Sequence, residues 1–270
     1  MGRVTARGLF VETLRSLRLT LERAGTVSVY VAAGAMRLAM LERHIRDDWR
    51  LFGAQQSEQD VSSGLFPSER EFYAPFLRTG DTILVVGCGG GRDLLSLREM
   101  GYHADGIDPS PECVAQARER LAARGVDAGL FVGRIETFPL PRRFDVFVFS
   151  WFCYSYIPQR RTRIEVLRRV KDHLRPDGRI LITYLRRDPA PRRLPVQLAR
   201  LASRLSGSDW WPEYGDVVSP RHDAPVVHYE HRVLGRMAVE GADAEHADGA
   251  AGVQHGVAGG LGGAREERDS

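Results

Sequence analysis

The stretch ILVVGCGGGRD, residues 83–93, decides the fold. Four apolar residues run straight into Gly87, Gly89, Gly90 and Gly91, and then into Arg92 and Asp93. Glycine weakens strands and helices alike. A cluster placed directly after a buried-looking strand therefore marks backbone that turns tightly or touches something closely.

Reading outward, TILVV (82–86) is a buried strand, RDLLSLREMG (92–101) a helix closed by glycine, HADGID (103–108) a strand and PECVAQARERLAARG (111–125) a helix. AGLFVG (128–133) and FDVFVFSWF (144–152) read as strands, RRTRIEVLRRVKDHL (160–174) as a helix and RILITYL (179–185) as a strand. Alternation with short links and nearly continuous apolar strands predicts an α/β fold, a doubly wound, mostly parallel sheet covered on both faces.

Upstream, Phe10, Leu14, Leu17 and Leu21 recur at helical spacing with arginines between them. That predicts an amphipathic helix over 8–23, packed on the domain or lying on a surface. Residues 27–52 read as one or two more helices. Ser68 and Glu71 in PSERE have capping-box spacing for a short helix ending near Gly80. Downstream, prolines at 189, 191, 195, 212, 220 and 225 break the rhythm around a helix near 194–205. In 241–264, fifteen of 24 residues are Gly or Ala without strand or helix period, which predicts a poorly ordered tail. The expected organisation is an N-terminal helical extension (1–79), a Rossmann-like core (80–185), a lid or substrate segment (186–232) and an atypical, disordered Gly/Ala-rich tail (233–270).

At 270 residues the chain can bury a sizeable core, and 43% hydrophobic with 27% charged residues is ordinary for a soluble protein. The net charge of +3 is small, and the arginines are scattered among 35 acids. No basic stripe stands out, so nucleic acid is not an expected partner. Cys88, Cys113 and Cys153 have neither zinc-site nor disulfide-framework spacing, so the expectation is no metal and a reducing, cytoplasmic setting. The mildly apolar run 24–41 contains Arg37 and is too short and polar for a membrane span.

In an open α/β sheet, ligands bind at the carboxyl ends of the strands, usually just after the first. The dinucleotide fingerprint is G-x-G-x-x-G. Here the spacing is Gly87-x-Gly89-x-Gly91, with Arg92 at the third fingerprint position. The tighter spacing suits a ligand lacking a pyrophosphate and counts against a nicotinamide-dependent oxidoreductase. Asp108 ends the second strand in GIDPSP, where a carboxylate can accept charge-assisted hydrogen bonds from two ribose hydroxyls. Its rival role is to cap the next helix, for which Ser110 also qualifies.

With these landmarks in order, residues 82–185 resemble the class I S-adenosylmethionine-dependent methyltransferases. The VVGCGGG loop, the acid of GIDPSP, FDVFVFS on the fourth strand and LRPDGRILI entering the fifth carry the resemblance. It implies a seven-stranded sheet and S-adenosyl-L-methionine as cofactor. It also implies that Gly87, Cys88, Gly89 and Gly91 lie against the methionine and ribose, and that Asp108 takes the ribose hydroxyls. Pro109 would border the adenine, Ile135 and Glu136 would sit at its edge, and Ser150 and Trp151 would close the site.

Three departures from the family stand out. The family often has an acid two residues before the first glycine to hold the methionine amine; here it is Val85, and Asp93 is the candidate replacement. The aspartate often found after Gly133 is Arg134. The tail offers no convincing seventh strand, although PVVHYEHRV (225–233) could begin the sixth.

Methyl transfer is an in-line displacement in which protein mainly aligns the acceptor and excludes water. A hydroxyl acceptor also needs a base. Candidates are His228, His231, Tyr154 and, less directly, His222. Trp151, Tyr154 and Tyr156 could line an aromatic acceptor pocket or simply pack. SDWWPEYGD (208–216) could be a lid or an anchor. The fourth strand lacks an Asn-Pro-Pro-Tyr motif, which points to a small-molecule acceptor, with oxygen as the methylated atom. The competing expectation is a cofactor-binding module without turnover. The N-terminal helices leave room for a homodimer contact.

Overall fold

The computed structural model describes residues 6–55, 64–185, 193–221, 226–232 and 253–259. Its helices are α1 (Ala6–Ala35), α2 (Leu38–Gln55), α3 (Pro67–Tyr73), α4 (Arg92–Glu99), α5 (Pro111–Ala123), α6 (Arg160–Asp172) and α7 (Arg193–Ser206). Its strands are β1 (Thr82–Val86), β2 (His103–Asp108), β3 (Leu130–Val132), β4 (Phe144–Phe149), β5 (Leu174–Leu185), β6 (Asp216–Pro220), β7 (Val227–His231) and β8 (Val253–Gly259). The described residues fall into two compact units, one within Met1–Ile45 and Ala190–Tyr229, the other within Arg46–Pro189 and Glu230–Ser270.

The second unit contains the predicted α/β core. Strands β3-β2-β1-β4-β5 are parallel, and β8 joins the edge of β5 antiparallel. Alternate residues of β1 feed opposite faces. Leu84 and Val86 join Phe147, Phe149 and Ile182 in one apolar cluster, while Ile83 and Val85 join Leu94, Val146, Val148 and Leu181 in the other. A strand buried on both sides must be apolar at every position, which is why ILVV has no polar alternation. Each such side chain contributes about 1.5–3 kcal/mol on burial.

In the first unit, α1 and α7 approach almost to backbone contact: a Cβ at Gly34 would lie 2.2 Å from the Ala199 carbonyl oxygen. Tyr30, Ala33, Val196, Trp210 and Tyr229 fill the space around them. Asp216 binds this core together, its backbone carbonyl accepting from Tyr30 Oη (2.9 Å) and its carboxylate from Tyr229 Oη (2.8 Å). Of the SDWWPEYGD aromatics, Trp210 is a buried anchor, whereas Trp211 and Tyr214 are exposed beside the Arg200 guanidinium.

Four local expectations need correction. The helix read over 8–23 continues without a break to Ala35. Helix α3 begins at Pro67, so its third residue is Glu69, not Glu71. It is the Glu69 carboxylate that accepts the Phe66 N–H at 2.8 Å, and the helix ends at Tyr73 rather than near Gly80. Strand β7 does not start a sixth strand of the main sheet; with only 221–226 between them, it pairs with β6 in a separate two-stranded sheet. Residues 253–259, read as lacking strand period, form β8, with Arg179 opposite Gly259 and Leu185 opposite Val253. An edge strand is held by its backbone ladder, so a Gly/Ala-rich stretch can pair without apolar alternation. The rest of the tail expected to be disordered, 233–252 and 260–270, lies outside the described residues. Among the described residues, no helix is long and apolar enough to cross a membrane.

The close approach at Gly34 has a measurable consequence. Gly34→Ala is expected to destabilise the protein by about 1–3 kcal/mol through overpacking. Gly25→Ala is the control: its Cβ meets nothing within 4 Å. Replacing that exposed helical glycine is expected to stabilise by about 0.5–1 kcal/mol. Urea unfolding of both variants checks the opposite signs.

Candidate functional site

Strand β1 lies between β2 and β4, so the connections leaving β1 and β4 diverge to opposite faces and open a crevice at the strands' carboxyl ends. The glycine loop lines that crevice. Gly87 has φ +69°, and a Cβ there would lie 2.6 Å from Cys153 Cβ. Gly91 has φ +92° and would place a Cβ 3.1 Å from Ala117 Cβ. Both conformation and crowding exclude a side chain at these two points.

The loop is fastened to the end of β2. The N–H groups of Gly87 and Cys88 donate to the Ile107 carbonyl at 2.9 and 3.1 Å. Asp108 Oδ2 accepts the Gly89 N–H at 3.0 Å, and Oδ1 accepts the Ser110 N–H at 2.9 Å. The cap of α5 is Ser110, whose Oγ accepts the Cys113 N–H at 3.2 Å, so the capping role belongs there and not to Asp108. Burial pushes the Asp108 carboxyl above its usual range, and the Ser110 and Gly89 N–H groups partly counter that. Each carboxylate oxygen retains accepting capacity for a further donor.

Beneath the first turn of α4 lies a buried ionic cluster. Arg92 Nε donates to Asp93 Oδ1 at 2.6 Å, and Arg92 Nη2 donates to both oxygens of Glu69 at 2.7 and 2.9 Å. Ser150 Oγ donates to Asp93 Oδ2. Glu69, Arg92 and Asp93 are 5%, 7% and 1% exposed. Burial, then the Asp93 charge, raises the Glu69 carboxyl, while Arg92 opposes the rise. The Phe66 and Trp151 rings lie against the guanidinium, their centroids 4.8 and 4.3 Å from Cζ. Two polar atoms stay unmatched in this buried region: Arg92 Nη1 and the hydroxyl of Tyr73. Leaving such a group unpaired costs about 1–3 kcal/mol.

The other candidates divide clearly. Val85 is wholly buried in the core, so that position offers no acid. Ser150 and Trp151 follow β4, and Trp151 and Phe152 hold left-handed conformations (φ 43° and 60°). Ile135 is buried and Pro109 exposed, while Glu136 accepts from Arg134 at 2.9 Å. Tyr154 belongs to the core beside Phe149. His231 Nε2 lies 3.3 Å from Arg163 Nη2, and since a guanidinium can only donate, that nitrogen accepts. His228 belongs to the first unit, and His222 lies outside the described residues. Burial pushes the Cys88 and Cys153 thiols well up, away from reactivity. Sequence reasoning did not find Glu69 or Tyr73, which lie 23 and 19 residues before Arg92 with no motif linking them.

Residues 83–178 match the family described as a methyltransferase domain. Over this segment the chain resembles that family. Over 128 residues the chain is 30% identical to the ubiquinone biosynthesis O-methyltransferase of Xanthomonas euvesicatoria, covering 47% of this chain and 52% of that protein. Over 110 residues it is 34% identical to the tRNA U34 carboxymethyltransferase of Klebsiella pneumoniae, covering 40% and 32%. The chain thus spans about half the length, or less, of these curated relatives. A SAM-dependent methyltransferase from Methanosarcina mazei shares the fold (TM-score 0.55, 19% identity, 73% of this chain and 99% of that one).

Removing one member of the buried cluster should be costly. Asp93→Ala leaves Arg92 Nε and Ser150 Oγ without their acceptor, and a loss of about 3–5 kcal/mol is expected in urea unfolding.

Proposed function

We propose that this chain is an S-adenosylmethionine-dependent methyltransferase acting on a small-molecule acceptor, with oxygen as the methylated atom. The observation that carries the reading is the Asp108 carboxylate, held at the mouth of the glycine loop by the Gly89 and Ser110 N–H groups and still able to accept two hydroxyls. When bound, the cofactor supplies an electrophilic sulfonium methyl. The chain's own task is to hold it and align the acceptor.

The residues suit that cofactor. Gly87, Cys88, Gly89 and Gly91 present backbone with no bulk at the two crowded points. Asp108 takes the ribose hydroxyls, Pro109 and Ile135 flank the adenine, and Glu136 sits at its edge. Ser150 and Trp151 close the side next to β4, and Asp93 stands in for the acid missing at Val85. The half-buried Tyr156, edge-on to Trp49 with centroids 4.5 Å apart, extends an aromatic wall for the acceptor. Similarity to a ubiquinone biosynthesis O-methyltransferase favours oxygen; similarity to a tRNA-modifying enzyme keeps a larger acceptor in view. Of the base candidates, His231 is half-buried and lies in the same unit as the loop, whereas Tyr154 is core.

Calorimetric titration with S-adenosylhomocysteine tests this reading. Asp108→Ala removes charge-assisted bonds of about 1.5–3 kcal/mol and should weaken binding roughly ten-fold or more. Absence of binding by the wild-type chain would overturn the proposal.

The pH dependence has a definite sign. Ribose hydroxyls donate to the ionised carboxylate, so affinity should be level at neutral pH and fall on acidification through the raised Asp108 value. The ligand-free protein should respond oppositely at this group. Stability from a raised carboxyl is fully present below its unfolded value and is lost as pH rises through the folded one. Asp108→Asn should flatten both profiles, measured by calorimetry and by thermal unfolding.

A further inference from the structure

The geometry points to a membrane-surface contact on α7 and the loop that follows it. Leu194, Leu201, Leu205 and the rings of Trp211 and Tyr214 enter the outer layer of an anionic phospholipid bilayer, while Arg193, Arg200 and Arg204 meet its phosphate headgroups. All of these residues belong to the first unit, and none has a part in the cofactor reading.

Helix α7 has two stripes of small or apolar residues, and its own core uses one. Val196, Ala199 and Ser203 are buried, Ala199 against Gly34 of α1. Leu194, Leu198, Leu201 and Leu205 recur at spacings of four, three and four, which sets them on a second stripe of the same helix. Leu198 is half-buried, but Leu194, Leu201 and Leu205 are 60%, 52% and 81% exposed. A helix needs only one such stripe to pack on its domain. Three outward leucines on about 20 Å of helix gather apolar surface of the kind that marks a binding face.

The polar residues decide what covers that face. Residues 193–206 contain three arginines and no acid. The Arg200 guanidinium lies 4.2 Å from the Tyr214 ring centroid and 5.3 Å from that of Trp211, and Arg204 lies 5.0 Å from the same Trp211 ring. Those contacts bring both exposed rings to the arginine flank of α7. The acids of the following loop are turned to the protein. Asp209 accepts the Leu38 N–H at 2.6 Å, Asp216 is buried, and the Glu213 carboxylate lies within 4.8 Å of the Asp216 carboxylate. Leucines bordered by guanidinium groups, with Trp and Tyr beside them, match the layering of a bilayer surface. There acyl chains take apolar side chains, aromatic rings sit at headgroup level and arginines meet phosphates. A second copy of the chain fits worse: a two-fold contact sets one patch against itself and brings arginines near arginines.

Vesicle flotation of the full chain across a lipid titration tests this, with phosphatidylcholine alone and with phosphatidylcholine mixed with phosphatidylglycerol. The chain is expected to bind the mixed vesicles at least about ten-fold more tightly, and to be released at about 1 M salt, where the screening length falls to about 3 Å. Arg193→Gln and Arg204→Gln should each weaken binding to the mixed vesicles about five-fold. Leu205→Gln should weaken it about ten-fold or more. Its thermal midpoint should stay that of the wild type, because so exposed a side chain packs on little of the protein. Met100→Gln, which removes a 45% exposed apolar side chain from the second unit, should leave vesicle binding unchanged. Absence of binding, equal binding to both vesicle types, or a Leu205→Gln variant that binds as the wild type does would overturn the proposal. So would a dimer in sedimentation velocity that Leu205→Gln converts to a monomer, since a second copy would then cover the stripe.

Discussion

The chain leaves β1 through backbone that a side chain would block. Gly87 sits against Cys153, and Gly91 sits in a left-handed conformation against Ala117. Everything at the site hangs on that turn. Because it is tight, α4 starts immediately at Arg92, and the Gly89 N–H comes within 3.0 Å of Asp108 at the end of β2. Two neighbouring strands are thereby joined at their carboxyl ends by a charge-assisted bond, and the crevice between the β1 and β4 connections acquires a fixed acceptor.

The same turn forces an unusual burial. Arg92 and Asp93 are consecutive, both in the first turn of α4 and both nearly inaccessible. Desolvating two charges is expensive and is offset only by close pairing and full hydrogen bonding. Asp93 meets that condition through Arg92 and Ser150; Arg92 meets it at Nε and Nη2 but not at Nη1. An apolar residue at 92 would avoid that desolvation altogether.

Legibility in the sequence followed the range of the interactions. The parallel core was readable because its signals are local: ILVV is apolar at every position, the glycines punctuate its end, and helix and strand periods alternate as far as Leu185. Asp108 was readable because it closes a strand, and its rival role as helix cap fell away only on seeing Ser110 perform the capping. The α3 cap was misread because Pro67, not Ser68, opens the helix, which shifts the closing acid to Glu69. Strand β8 was missed because its pairing with β5 is a backbone ladder between segments far apart in sequence, with no apolar period to announce it. The Glu69–Arg92–Tyr73 grouping was missed for the same reason of distance: burial and geometry bring these residues together, and no spacing rule encodes either.

The proposed function requires the glycine loop and Asp108 to hold the cofactor of a methyltransferase. The most direct measurement is a crystal structure of the full chain grown with S-adenosylhomocysteine. The ligand is expected in the crevice, with its ribose hydroxyls on the Asp108 carboxylate and its sulfur end toward Ser150 and Trp151. A ligand bound elsewhere, or a ribose that makes no bond to Asp108, would contradict it.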